Sequence, residues 1–318
     1  MESFYRFLQG SMLCLAVAGG IPPAMAQAVP GKPAPYRDAP EGYRSFIVKA
    51  KQAEAIKNPL ERCLAYPDYP DNRWPAGLAA AYCHFAFDPA ITLDDVRGYI
   101  DRNAFAELDA RFKADLDRHF SKGDFSEIIH RDFDGFDASV ASGQLTMRWL
   151  EKSPQSPYAL TARGEYFLAM AYKSRGGKWA ADTPAENMQR MSEFVDEAIK
   201  NYRQALALEP RLQQADAGII AAASRESRYD ELKAAFEHGM SVDPACRVLT
   251  GNMMVALEPR WGGSYAAMTA LAVQLSAYVQ QRPLLALNTI WPQVDAADTA
   301  SRNDSYDAGV RLLRSVLT

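Results

Sequence analysis

The strongest constraint on the fold is an echo in the C-terminal half of the chain. Tyr202-x-x-Ala205-x-x-Leu208-x-Pro210 returns as Phe236-x-x-Gly239-x-x-Val242-x-Pro244, so Pro210 and Pro244 are 34 residues apart. A repeat of that length is one supersecondary unit, and a two-helix unit cannot bury its apolar face without a stacked neighbour. The residue types fit this use. Ala205 and Gly239 permit close helix approach, Tyr202 and Phe236 fill the space between helices, and each Pro opens the next unit.

This is the period of tetratricopeptide repeats, and Ala198, Tyr202, Ala205 and Pro210 follow their second-helix pattern in order. Leu232, Phe236, Gly239 and Pro244 follow it less fully. The first-helix Trp-Leu-Gly-Tyr signature is missing, and one further period in either direction, at Gly176 and Tyr278, finds no Pro. Two ordinary amphipathic helices are therefore the competing reading. Elsewhere, apolar residues recur at helical spacing and alternating Val, Ile and Thr runs are almost absent. The expected fold class is all-α, built of tetratricopeptide-like stacked helical hairpins that form a short α-solenoid.

Helices are expected over 43–56, 75–87, 92–102, 105–120, 136–151, 158–174, 185–208, 213–225, 229–241, 244–257, 265–281 and 304–317. Thr92-Leu93-Asp94-Asp95 reads as an N-cap followed by acidic residues at the positive end of the helix dipole. Gly176-Gly177 and Gly262-Gly263 read as stops or tight turns. Asp132, Asp134 or Asp137 is expected to cap the helix after them.

The N-terminus carries Arg6, an apolar run from Ser11 to Ile21, and Ala24-Met25-Ala26. This is the pattern of a secretory signal peptide over 1–26, with Ala28 a second cleavage position. Gly19-Gly20 and Pro22-Pro23 break the run too early for a bilayer span, and Leu13 before Cys14 is not the small residue a lipidation site wants. Residues 27–41 follow as a Pro-rich leader. The expected location is periplasmic or secreted, with no membrane span after cleavage.

In an oxidising compartment three cysteines remain. Cys63 and Cys83 flank the loop Tyr66-Pro67-Asp68-Tyr69-Pro70 and are expected to close a disulfide across a helical hairpin. Cys246 is left over and is expected to be buried and inert. No C-x-x-C occurs and His84 adjoins Cys83, so no metal site is expected.

Three segments together resemble a known family: Ala169-Met170-Ala171-Tyr172-Lys173-Ser174-Arg175-Gly176-Gly177, the helical pair after it, and Leu257-Glu258-Pro259-Arg260-Trp261-Gly262-Gly263-Ser264. They are similar to domain-of-unknown-function family 4034, over about residues 128–279. The resemblance implies a helical, tetratricopeptide-like exported protein of Gram-negative bacteria, and it brings no catalytic residues with it.

A search for chemistry finds little. His130-Arg131-Asp132 echoes a kinase catalytic loop without the Gly-rich loop, the Lys or the Asp-Phe-Gly that would give it a role. Asp132 to Asp137 has its Gly at the wrong place for a calcium loop. None of the four histidines sits in a hydrolase or zincin motif, although His119 and His130 flank Lys122-Gly123-Asp124 closely enough to meet. A net charge of −4 gives no field for nucleic acid.

Two stiff aromatic segments remain. Tyr66, Tyr69, Arg73 and Trp74 are residue types enriched in binding hot spots, on a Pro-rich loop with little entropy to lose; folding back to cap the hairpin end is the plainer use. Arg260 and Trp261 are second binding candidates, with Trp261 plugged between repeat units as the alternative. The expected organisation adds an N-terminal helical segment over 42–127 and a tetratricopeptide-like domain over 128–318. The expected function is an exported, non-catalytic module that binds a protein or peptide, with neither catalytic residues nor a cofactor. The alternative is an envelope hydrolase using His119 or His130 with carboxylates from Asp124 to Asp137.

Overall fold

The structure, a computed structural model, describes residues 39–317 apart from 122, 124, 125, 179 and 303–305. The expected signal peptide and most of the leader lie outside the described residues, as does Asp124. Among the described residues there are sixteen α-helices and no strand. None of these helices is long and apolar enough to cross a membrane.

The helices are α1 (Glu41–Glu54), α2 (Pro59–Ala65), α3 (Leu78–Phe87), α4 (Leu93–Asp101), α5 (Phe105–His119), α6 (Ile128–Arg131), α7 (Val140–Lys152) and α8 (Pro157–Arg175). They continue as α9 (Ala185–Leu208), α10 (Gln213–Ser224), α11 (Tyr229–Val242), α12 (Arg247–Ala256), α13 (Tyr265–Ser276), α14 (Ala286–Thr289), α15 (Trp291–Arg302) and α16 (Tyr306–Leu317). Local chemistry sets many boundaries. Thr92 and Asp95 form a full capping box on α4, and Gly176 ends α8 with positive φ.

The cap of α7 corrects an expectation. Ser139 accepts from the Ser142 N–H, while Asp137 accepts from the Ser139 N–H and Asp132 turns inward to accept from the N–H of Ile91. The aspartates organise the chain leading to the helix, and the Ser139 hydroxyl, two residues after Asp137, makes the cap.

Neighbours in sequence pack on each other from α7 to α12, and α10 also lies against α8 and α12. Tyr202 of α9 fills the centre of this stack. A Cβ added to Gly164 of α8 would come within 2.5 Å of its ring, and one added to Gly218 of α10 within 2.3 Å. The aromatic therefore sits in a slot that exists because both flanking helices carry glycine there. Leu168, Val195, Ala198, Ile220 and Leu249 complete this core. In the second turn of the echo, Gly239 brings α11 equally close to Leu249 of α12.

A second core holds the N-terminal helices to α7 and α8. Phe112 is sealed between Phe133 at 5.0 Å and Trp149 at 5.3 Å. The Trp149 indole N–H donates to Asp109, which also accepts from Ser156. A third core joins α12, α13 and α15 around Met254, Met268 and Trp291. Leu78 and Ala81 of α3 bury against Leu284, so an early helix packs on a segment more than 200 residues further on.

The Pro-Arg-Trp-Gly-Gly-Ser string is a shaped turn. Gly262 has φ of 90°, and a Cβ on Gly263 would lie 2.1 Å from the Leu257 carbonyl oxygen. Ser264 then caps α13 by accepting from the Ala267 N–H.

Candidate functional site

Two places deserve a functional reading, one on the surface and one buried. The surface place is the loop closed by the Cys63–Cys83 disulfide, whose Cα atoms are 5.6 Å apart. Its conformation is fixed from within: Asn72 donates to the Tyr69 carbonyl and accepts from the Trp74 N–H. Tyr66 donates to Glu54 at 3.1 Å, and Tyr69 packs edge-on against Tyr43 and Phe46 of α1. The two tyrosines thus fold back on the hairpin, yet each keeps more than two fifths of its surface in solvent, and Trp74 is 43% exposed. Arg73 beside it is exposed too.

The second pair of binding candidates is differently placed. Arg260 spans Glu258 at 2.6 Å and Asp295 at 2.9 Å, which commits its guanidinium to holding the 259–263 turn on α15. Trp261 is half-buried with the Arg225 guanidinium 4.3 Å over its ring. That contact ties the turn to the end of α10.

The buried place is a polar cluster at the seam between the N-terminal helices and α10 to α12. His119 at the end of α5 and His130 of α6 do meet, with ring centres 5.1 Å apart. His119 Nε2 lies 3.2 Å from Asp243 Oδ2, and Arg282 reaches the same carboxylate at 3.3 Å while donating to the His119 carbonyl. His130 Nδ1 lies 3.0 Å from Gln214 Oε1, and Gln214 donates onward to Glu165. His130 Nε2 faces the Cys246 sulfur at 3.5 Å. Arg247 donates to Glu127 at 2.9 Å and lies over the Phe85 ring.

Burial dominates the electrostatics here. It holds His130 far below its ordinary range, with the His119 charge adding to the effect. It also raises the Glu165 carboxyl to about 7 and pushes the Cys246 thiol up, helped by the charges of Glu127 and Asp243. Asp243 runs the other way: burial would raise it, but the hydrogen bond from His119 and the Arg282 charge hold it low. Cys246 is free and buried, as expected, but its surroundings are polar.

Neither His119 nor His130 reaches the surface, so an acid–base pair made of them has no open route to a bulky substrate. The nearby surface groove, of about 710 Å³, is lined by Phe87, Ile91, Leu93, Arg131 and Asp134 and by neither histidine. Sequence reasoning did not mark Gln214, Asp243, Arg247 or Arg282. The one available hint was that Asp243 and Arg247 bracket Cys246 within five residues.

The molecule is thus an all-α stack of helices, with an exposed aromatic loop among its first helices and a sealed polar seam inside. Residues 92–228 match a family described as "Domain of unknown function (DUF4034)", and this part of the chain resembles that family. The match runs from the Thr92 cap of α4 to the residue before α11. The Pro-Arg-Trp-Gly-Gly-Ser string, on which the sequence reading leaned most, lies beyond it. No curated protein and no solved structure matches the chain.

Proposed function

We propose that the chain is an exported, non-catalytic protein-binding module that presents the 66–75 loop to a protein or peptide partner. One observation carries the reading: Trp74, Tyr69 and Tyr66 stay substantially exposed on a loop whose backbone is already fixed by a disulfide, an Asn72 turn and packing on α1. Exposed aromatic side chains on a preorganised loop lose little entropy on binding. The α7 to α12 stack, read as a tetratricopeptide-like array, would add an extended surface of the kind helical repeats use to hold peptides. The signal-like pattern over residues 1–26 supports a location in the periplasm or outside the cell. Two concrete forms are an immunity or inhibitor protein against a toxin from competing bacteria, and an adaptor in an envelope complex.

The test is co-purification of the full chain, with its disulfide formed, from cell-envelope extract and from a panel of effector proteins. A stoichiometric partner that is lost when Tyr69, Arg73 and Trp74 become Ala supports the reading. A partner retained by that variant moves the surface elsewhere, and no partner above background in either setting counts against a binding module.

A further inference from the structure

We propose that His119, His130 and Cys246 form a zinc site that staples the 119–130 segment to the start of α12. The inference rests on the buried seam alone and is independent of the loop's role. One ligand atom from each of the three residues lies within 4.8 Å of the other two. Zinc bonds of about 2.3 Å to sulfur and about 2.0 Å to nitrogen, at a tetrahedral angle, set the two donors about 3.5 Å apart. That is the separation of Cys246 Sγ and His130 Nε2.

The hydrogen bonds around the histidines point the same way. Gln214 Oε1 accepts from His130 Nδ1, which leaves Nε2 as a lone pair facing the sulfur. His119 Nε2 faces Asp243 Oδ2 at 3.2 Å and Arg282 Nη2 at 3.3 Å; in the tautomer that donates to Asp243, Nδ1 is bare, and this nitrogen is buried with no partner. A carboxylate or amide holding the far nitrogen of each imidazole is the outer arrangement typical of metal-binding histidines. A packed polar core with no ion would leave His119 Nδ1 unsatisfied in a residue only 1% exposed.

Charge and donor type select the ion. The two arginines at the seam are each matched by a carboxylate, Arg282 by Asp243 and Arg247 by Glu127, so a cation does not enter a net positive field. Imidazole and thiolate favour zinc over calcium or magnesium, which take oxygen donors. On coordination Cys246 gives its thiol proton to solvent and binds as thiolate, while both histidines bind neutral. Glu127 holds a spare carboxylate oxygen, Oε1, buried without a partner, and its charge bears on the Cys246 thiol. Its oxygens fall outside the group of three ligand atoms that lie within 4.8 Å of one another, so the protein itself supplies three donors. A site this sealed is structural, because a catalytic zinc keeps a position open to substrate.

The experiment uses the full chain, purified without a metal-affinity tag, stripped with chelator and returned to Zn²⁺ or Co²⁺ alone. The expected result is one equivalent of zinc per chain by elemental analysis and a melting temperature raised by a few degrees. Cobalt should show a thiolate-to-metal charge-transfer band. Cys246→Ser should abolish that band, and His119→Gln should weaken zinc binding more than about tenfold. Wild-type chain that takes up no stoichiometric zinc, or a cobalt complex without the sulfur band, overturns the proposal, as does unchanged zinc affinity in Cys246→Ser. If either variant fails to fold by circular dichroism, the wild-type cobalt spectrum decides.

Discussion

Both carboxylate oxygens of Asp216 lie 3.0 Å from Nδ1 of His238, and the aspartate is sealed while 39% of the histidine side chain is exposed. The exposed ring thus supplies a donor to a buried acid on the neighbouring helix. Burial raises the Asp216 carboxyl to about 6, so it is charged at pH 8. His238→Ala should then leave a buried carboxylate without its donor and cost about 2 kcal/mol at that pH. His238→Gln, which keeps an N–H, should recover part of the loss. Urea denaturation of the three proteins checks this, and equal midpoints would refute it.

Glu165 makes stability depend on pH. Its carboxyl is raised from the ordinary 4.5 to about 7 by burial, so the folded chain holds a proton that the unfolded chain has released. This contribution is full below about pH 4.5 and is lost as pH rises toward 7. Glu165→Gln keeps an oxygen to accept from Gln214 and cannot ionise. It should match the wild type in acid and exceed it by about 2 kcal/mol at pH 8. Denaturation midpoints from pH 4.5 to 8 test the slope; parallel curves would rule it out.

The slot around Tyr202 should tolerate no added carbon. Alanine normally stabilises a helix interior over glycine by about 1 kcal/mol, yet Gly218→Ala and Gly164→Ala place Cβ inside contact distance of the ring. Each should destabilise by about 2 kcal/mol, because the helices must separate or the tyrosine must leave its rotamer. Gly177→Ala, with nothing within 4 Å, is the control and should be neutral. Thermal melts of the three variants decide the matter.

The Cys63–Cys83 bridge closes a loop whose ends are 20 residues apart. By the chain-entropy estimate, replacing both with Ser should cost about 3 kcal/mol. Since α2 contributes no buried residue of its own, the loss should appear first as faster amide exchange in α2 and the 66–75 loop. Exchange that accelerates evenly over the whole chain would contradict this placement.

Much of the helix layout was legible. Residues 185–208 were expected and form α9 with the same bounds, since a 24-residue amphipathic pattern carries its own evidence. The misses share a cause. α6 and α14 are four residues long, too short to show a period, and α15 starts on Trp291-Pro292 and buries Asp295, which breaks its apolar stripe. Cys63 with Cys83 was readable because the two flank one short loop.

Sequence alone determined where the long helices lie, several of their caps and stops, and which cysteines pair, because each of these depends on residues within a few turns of one another. Only the tertiary structure decided what the buried polar groups do. His119 reaches Asp243 across 124 residues and Arg282 across 163, and Cys246 reaches His130 across 116. No local period encodes those meetings. They follow from how the N-terminal helices lie on α10 to α12, and that placement is set by the packing of whole helix faces, to which a single histidine or cysteine adds little signal.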